Sequence, residues 1–100
     1  MPTLYEYFGM VFYFYSNDHL PVHVHVSYAE YESIAELFFR EGLLVDIVWR
    51  KELGHNSLPT KQKRKAQRLI ELRGLEIANK WHEFFVLGLP FNVEKITKEL

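Results

Sequence analysis

The sequence predicts an α+β fold, an antiparallel meander of about five strands followed by two α-helices packed on one face of the sheet. Two observations carry this. From Leu4 to Trp49, β-branched and aromatic residues alternate between short turn signals. From Thr60 onward, apolar residues recur instead at three- and four-residue spacing. The size, 100 residues with 48% hydrophobic and 25% charged, is that of one domain spanning 1–100 with one core.

The strands follow in order. Leu4–Phe8 ends at Gly9, Met10–Tyr15 runs into the polar turn Ser16–His19, and Val22–Tyr28 ends near Ala29-Glu30. Tyr31–Phe38 reaches the turn Arg40-Glu41-Gly42, and Leu43–Trp49 completes a sheet half over 1–50. A loop, Lys51–Leu58, leads to Pro59, whose fixed φ and missing N–H suit the first helical position. Ala66, Leu69 and Ile70, then Ile77, Trp81, Phe84 and Phe85, form one apolar stripe. Gly74 interrupts it, which predicts a helical pair within 59–87, divided into 59–73 and 75–87. Gly88-Leu89-Pro90 stops the second helix and leaves 88–100 as a tail.

Composition excludes several classes of function. Without cysteine there is no disulfide framework, thiolate metal site or cysteine nucleophile, and a reducing cytosol suits the chain. The N-terminal residues lack a signal-peptide pattern, and no run approaches the ~20 apolar residues that span a bilayer, so a cytoplasmic protein with no membrane partner is expected. The net charge of −1 conceals a division. Residues 1–50 carry two arginines against seven acids, a net of −5, and residues 51–100 carry ten Lys/Arg against six acids, a net of +4. A surface divided by sign suggests charged partners.

Strand alternation sorts side chains by face. Phe12, Phe14, Val22, Val24 and Val26 belong under the helices, which leaves His23 and His25 on the opposite face with Tyr13 and Tyr15, and with Tyr5 and Tyr7 on the neighbouring strand. Such tyrosines either tile a half-wet surface or form an interface for a partner or a second copy of the chain.

The densest chemistry is Asn17-Asp18-His19-Leu20-Pro21-Val22-His23-Val24-His25. Imidazoles at i and i+2 of a strand project side by side, and Asn17 and Asp18 can brace the preceding turn. Three readings are open. His23 and His25 could hold a divalent metal such as zinc, with His19 or Asp18 as third ligand and water as fourth. The histidines could act without metal as general acid and base, as phosphodiester hydrolysis requires. Or the polar groups could simply pin the turn to the sheet. His55 and His82 read as solvated surface. On the helix, Lys61, Arg64, Lys65 and Arg68 form one stripe at i, i+3, i+4 and i+7, which is either a solvated face or a contact for phosphate or an acidic protein.

Met1-Pro2-Thr3, Phe12–Tyr15 running into Ser16-Asn17-Asp18-His19, Pro21, His23-Val24-His25-Val26 and Trp81 together resemble the bacterial family known as domain of unknown function 4160. The specific part is the Asn-Asp-His-x-Pro-x-His-x-His-Val run; Val22 and Ala29 stand where that family often has proline and glycine. The resemblance implies a small α+β fold in a prokaryotic cytoplasm and, through frequent pairing with another small protein, a toxin–antitoxin role. It carries Asn17, Asp18, His19, His23 and His25 over as site residues. The resulting expectation is a toxin–antitoxin-like component that binds or cleaves RNA or DNA through the histidines and the basic stripe, beside a small cognate protein. The alternatives are a protein-interaction module on the tyrosine face and a histidine-based metal protein.

Overall fold

In the computed structural model, residues 2–16 and 18–100 are described. The alternating segment forms β1 (Thr3–Tyr7), β2 (Met10–Tyr13), β3 (His23–Tyr28), β4 (Tyr31–Arg40) and β5 (Leu43–Lys51), each antiparallel to the next. Two-residue turns set the register. Phe8-Gly9 closes Tyr7 against Met10, and Glu41-Gly42 closes Arg40 against Leu43, all four turn residues having positive φ. That geometry matches the right-handed twist of the strands, and glycine adopts it without steric cost.

Two expectations are corrected. The tail adds a strand, β6 (Glu94–Ile96), parallel to β1, so the described residues form a six-stranded mixed sheet of order β5-β4-β3-β2-β1-β6. Arg73 holds it in place with two hydrogen bonds to Glu94, at 2.9 and 3.1 Å. This pairing keeps the Glu94 carboxyl below the usual carboxylate range. Its contribution to stability is therefore present above that range and lost as the pH falls through the lowered value. The second correction is the helical pair. Among the described residues there is one helix, α1 (Thr60–Phe85), which continues through Gly74. Gly74 marks a close approach: a Cβ there would lie 2.8 Å from Leu44 Cδ2 and 3.4 Å from Leu44 Cβ.

This contact gives a stability prediction. Gly74→Ala should change stability by no more than about 1 kcal/mol, because its helix-propensity gain offsets displacement of one Leu44 methyl. Gly74→Val should cost about 1–3 kcal/mol through overpacking. Urea melts of both variants measure this, and a valine variant as stable as the parent would show that helix and strand do not press together there.

The helix buries Ala66, Leu69, Ile70, Ile77 and Trp81 against Phe12, Phe14, Val24, Val26, Ala35 and Leu37. Polar tips on the same side are bonded. Trp49 Nε1 donates to Gln67 at 2.7 Å, Tyr5 donates its hydroxyl to Glu76, and the Tyr7 hydroxyl accepts the Leu100 N–H at 3.0 Å. Tyr5 and Tyr7 thus lie on the helix side, contrary to the expected tyrosine face, because both pair within a strand whose Tyr5 and Tyr7 positions oppose Phe12 and Met10. Where β5 stops, the chain continues along β4, with the Asn56 carbonyl accepting the Glu32 N–H at 2.9 Å and the Leu58 N–H donating to Ser33 Oγ at 3.0 Å. No helix among the described residues is long and apolar enough to cross a membrane.

Candidate metal centre

Period-2 alternation in β3 sends Val24 and Val26 into the core and His23 and His25 to the other side. Neither histidine faces open water: His23 is 7% exposed and His25 3%. The loop before β3 folds back to cover them. Tyr15 N–H donates to Asp18 Oδ2 at 2.8 Å and Asp18 N–H donates to the Tyr15 carbonyl at 3.1 Å, a reciprocal pair that fixes the carboxylate. The carboxylate then meets both imidazoles. Asp18 Oδ1 lies 3.2 Å from His23 Nε2, and Asp18 Oδ2 lies 3.3 Å from His25 Nε2.

The other ring nitrogens are already committed. His23 Nδ1 is 2.8 Å from the Pro21 carbonyl, which can only accept, so that nitrogen carries the proton. His25 Nδ1 is 3.2 Å from Glu52 Oε2. With both Nδ1 atoms directed to acceptors, both Nε2 atoms face the Asp18 carboxylate. The two Nε2 atoms and the carboxylate thus converge on one space that ring protons or a cation can fill. The separations suit a cation: metal–ligand bonds of about 2.0–2.1 Å in a tetrahedron place donor atoms about 3.4 Å apart. Ligand atoms of Asp18, His23 and His25 all lie within 4.8 Å of one another.

A second layer holds His25 in place. The Tyr13 ring stacks on it at 5.4 Å with a 16° tilt, and the Tyr15 ring approaches to 4.1 Å. Both hydroxyls donate to Glu32, Tyr15 at 3.3 Å and Tyr13 in a shorter bond. Glu32 Oε2 is also 4.0 Å from His25 Nδ1. Burial, reinforced by the Glu32 carboxylate, pushes the Tyr13 phenol far above its ordinary value, so it stays a donor. Burial raises the Tyr15 phenol too. The expected open face of tyrosines and histidines is therefore a closed polar layer, because Glu32 partners Tyr13 and Tyr15, Glu52 and Asp18 partner His25, and the Pro21 carbonyl and Asp18 partner His23. Neither glutamate was singled out from sequence. Strand pairing could have found Glu32, which sits opposite Ser27 two residues from His25; Glu52 follows the end of β5 and gave no signal.

The other sequence-predicted residues are dispersed. His19 is exposed and lies apart from the cluster, so of the two residues open as third ligand it is Asp18 that the structure brings together with His23 and His25. Asn17 lies outside the described residues. Lys61, Arg64 and Arg68 are exposed, and none makes an ion pair among the described residues. Lys65 instead sits 3.7 Å from Glu99 with its Nζ over the Phe8 ring. At about 1.5 Å per residue, Arg64 lies about 25 Å along the helix from Trp81, whose ring is 5.2 Å from His23. The basic residues therefore lie in the first part of α1, and the Trp81 contact to His23 lies near its end. His55 and His82 are both exposed.

No curated protein matches the chain, and no solved structure does. A family model described as domain of unknown function (DUF4160) matches residues 9–82, a span that holds Asp18, His23, His25, Glu32, Glu52 and Trp81. With that model covering well over half of its length, the chain belongs to the DUF4160 family.

Proposed function

We propose that the protein binds one divalent metal ion, zinc in the first instance, through Asp18, His23 Nε2 and His25 Nε2. The observation that supports this most directly is the convergence of two imidazole Nε2 atoms on one carboxylate at 3.2 and 3.3 Å while both opposite Nδ1 atoms are hydrogen-bonded outward. Metal-ligating histidines characteristically donate their second N–H to a carboxylate or backbone carbonyl, the roles Glu52 and Pro21 play here. Three protein ligands leave positions for water or substrate, and a divalent ion so held supplies Lewis acidity there. The chain's own residues orient the rings, shield the centre on the sheet side and keep the phenols of Tyr13 and Tyr15 as donors. Titration of chelator-stripped, tag-free protein with zinc should show saturable one-to-one binding with proton release. Absence of saturable binding would sink the reading.

A second activity is supported by a separate observation, the exposed cations Lys61, Arg64 and Arg68. As a toxin–antitoxin-like component the protein would use them to hold RNA or DNA, with hydrolysis assigned to the metal centre. Three phosphate contacts predict log K falling against log salt with a slope of about −2 to −3. A flat response in a fluorescence-anisotropy titration with single-stranded RNA would remove nucleic acid from this face.

A further inference from the structure

We infer that the cavity beside the Asp18–His23–His25 centre binds a small molecule with an anionic, metal-coordinating head and an apolar body about the size of an aromatic ring. The inference rests on the metal reading above.

The cavity has a volume of about 410 Å³, within the range of small-ligand pockets. It lies between the loop that carries Asp18 and the last turns of α1. Its apolar walls are Leu20 and Val22 on the loop side and Trp81 and Phe85 on the helix side. Two residues join it to the centre. Asp18 is part of its lining, and Trp81, another wall, touches the His23 ring at 5.2 Å. Its remaining polar groups are His19 and His82, both exposed, which flank the same space from loop and helix. Apolar walls with a few convergent polar groups are the usual make-up of a small-molecule site.

The walls choose the ligand's chemistry. Trp81 and Phe85 offer aromatic faces and edges, which favour a flat apolar body. A divalent ion on Asp18, His23 and His25 favours an oxygen anion at the opposite end, and His19 and His82 add hydrogen-bond donors for it. Lys61, Arg64 and Arg68, which would track a polyphosphate backbone, are not in this wall. A small carboxylate with an aryl group meets both requirements.

The probe is 3-phenylpropanoate, titrated into zinc-loaded protein while the indole N–H resonances are followed. Trp81 is the reporter, and Trp49, bonded to Gln67 on the far part of the helix, is the internal control. The Trp81 signal should shift saturably, with a Kd at least tenfold below those of acetate, which lacks the body, and 3-phenylpropan-1-ol, which lacks the anion. Ala78→Phe, which places a ring into the cavity from the helix, should weaken the probe at least tenfold; zinc titration of that variant reports whether its centre is intact. If zinc binds and the probe is no tighter than acetate, or is unaffected by Ala78→Phe, this inference is overturned and the metal centre stands. If zinc does not bind the parent protein, centre and inference fall together.

Discussion

Replacing His25 by alanine is expected to weaken zinc binding by at least about 100-fold. Loss of a residue that merely orients a ligand commonly costs 10–100-fold in metal affinity, and His25 is both a proposed ligand and the ring that Glu52, Tyr13 and Tyr15 hold in place. Its removal leaves two donors, Asp18 and His23, around a centre still crowded by Glu32 and Glu52. Glu52→Ala should fall in the 10–100-fold range, and Glu52→Gln less, since an amide oxygen still accepts the Nδ1 proton. That ordering separates a metal site from a purely structural hydrogen-bond network. In the network alone, all three variants would shift zinc-free stability and none would change a binding isotherm. Competition titration against a chromophoric chelator measures the series, with zinc-free urea melts showing that each variant folds. Equal zinc affinity in His25→Ala and the parent would end the assignment.

The parts of this architecture that were legible in the sequence are those encoded locally. Alternation from Leu4 to Trp49 and the turn signals at Gly9 and Gly42 specify five antiparallel strands, and strand parity alone puts His23 and His25 on the same side, away from Val24 and Val26. What was not legible depends on contacts between distant segments. Gly74 reads as a helix break because its propensity is poor, yet the helix runs through it: the missing side chain is what lets Leu44 of β5 approach. β6 is three residues whose pairing depends on β1 nearly ninety positions earlier. The site shows the same division. Asp18, His23 and His25 lie within eight residues and could be grouped by spacing, whereas Glu32 and Glu52 reach His25 from β4 and from beyond the end of β5. Tyr5 and Tyr7 resemble Tyr13 and Tyr15 in sequence, but the two-residue turn at Phe8-Gly9 sets them opposite Phe12 and Met10, on the helix side.

The helix side also supports the centre, and Phe14→Ala should expose that dependence with the largest stability loss in the molecule. Phe14 is fully buried, with Trp81, Phe85 and Phe91 rings at 5.2, 5.6 and 6.0 Å. Truncating such a ring costs about 3–5 kcal/mol, a large share of the 5–15 kcal/mol typical of a domain. Phe14→Leu, which keeps most of the volume, should cost far less, about 1.5 kcal/mol at most. The effect reaches the site because the Trp81 ring packs on both Phe14 and His23, and because Tyr13 and Tyr15 flank Phe14 in the chain. A metal that binds only the folded state should partly reverse the loss, by about 2.7 kcal/mol when free zinc is 100 times its Kd. Urea melts with and without zinc test both halves of the argument. A Phe14→Ala loss below about 1 kcal/mol would deny the aromatic cluster its role in the core. A normal loss with no recovery in zinc would mean that Asp18, His23 and His25 do not hold the ion in the folded protein.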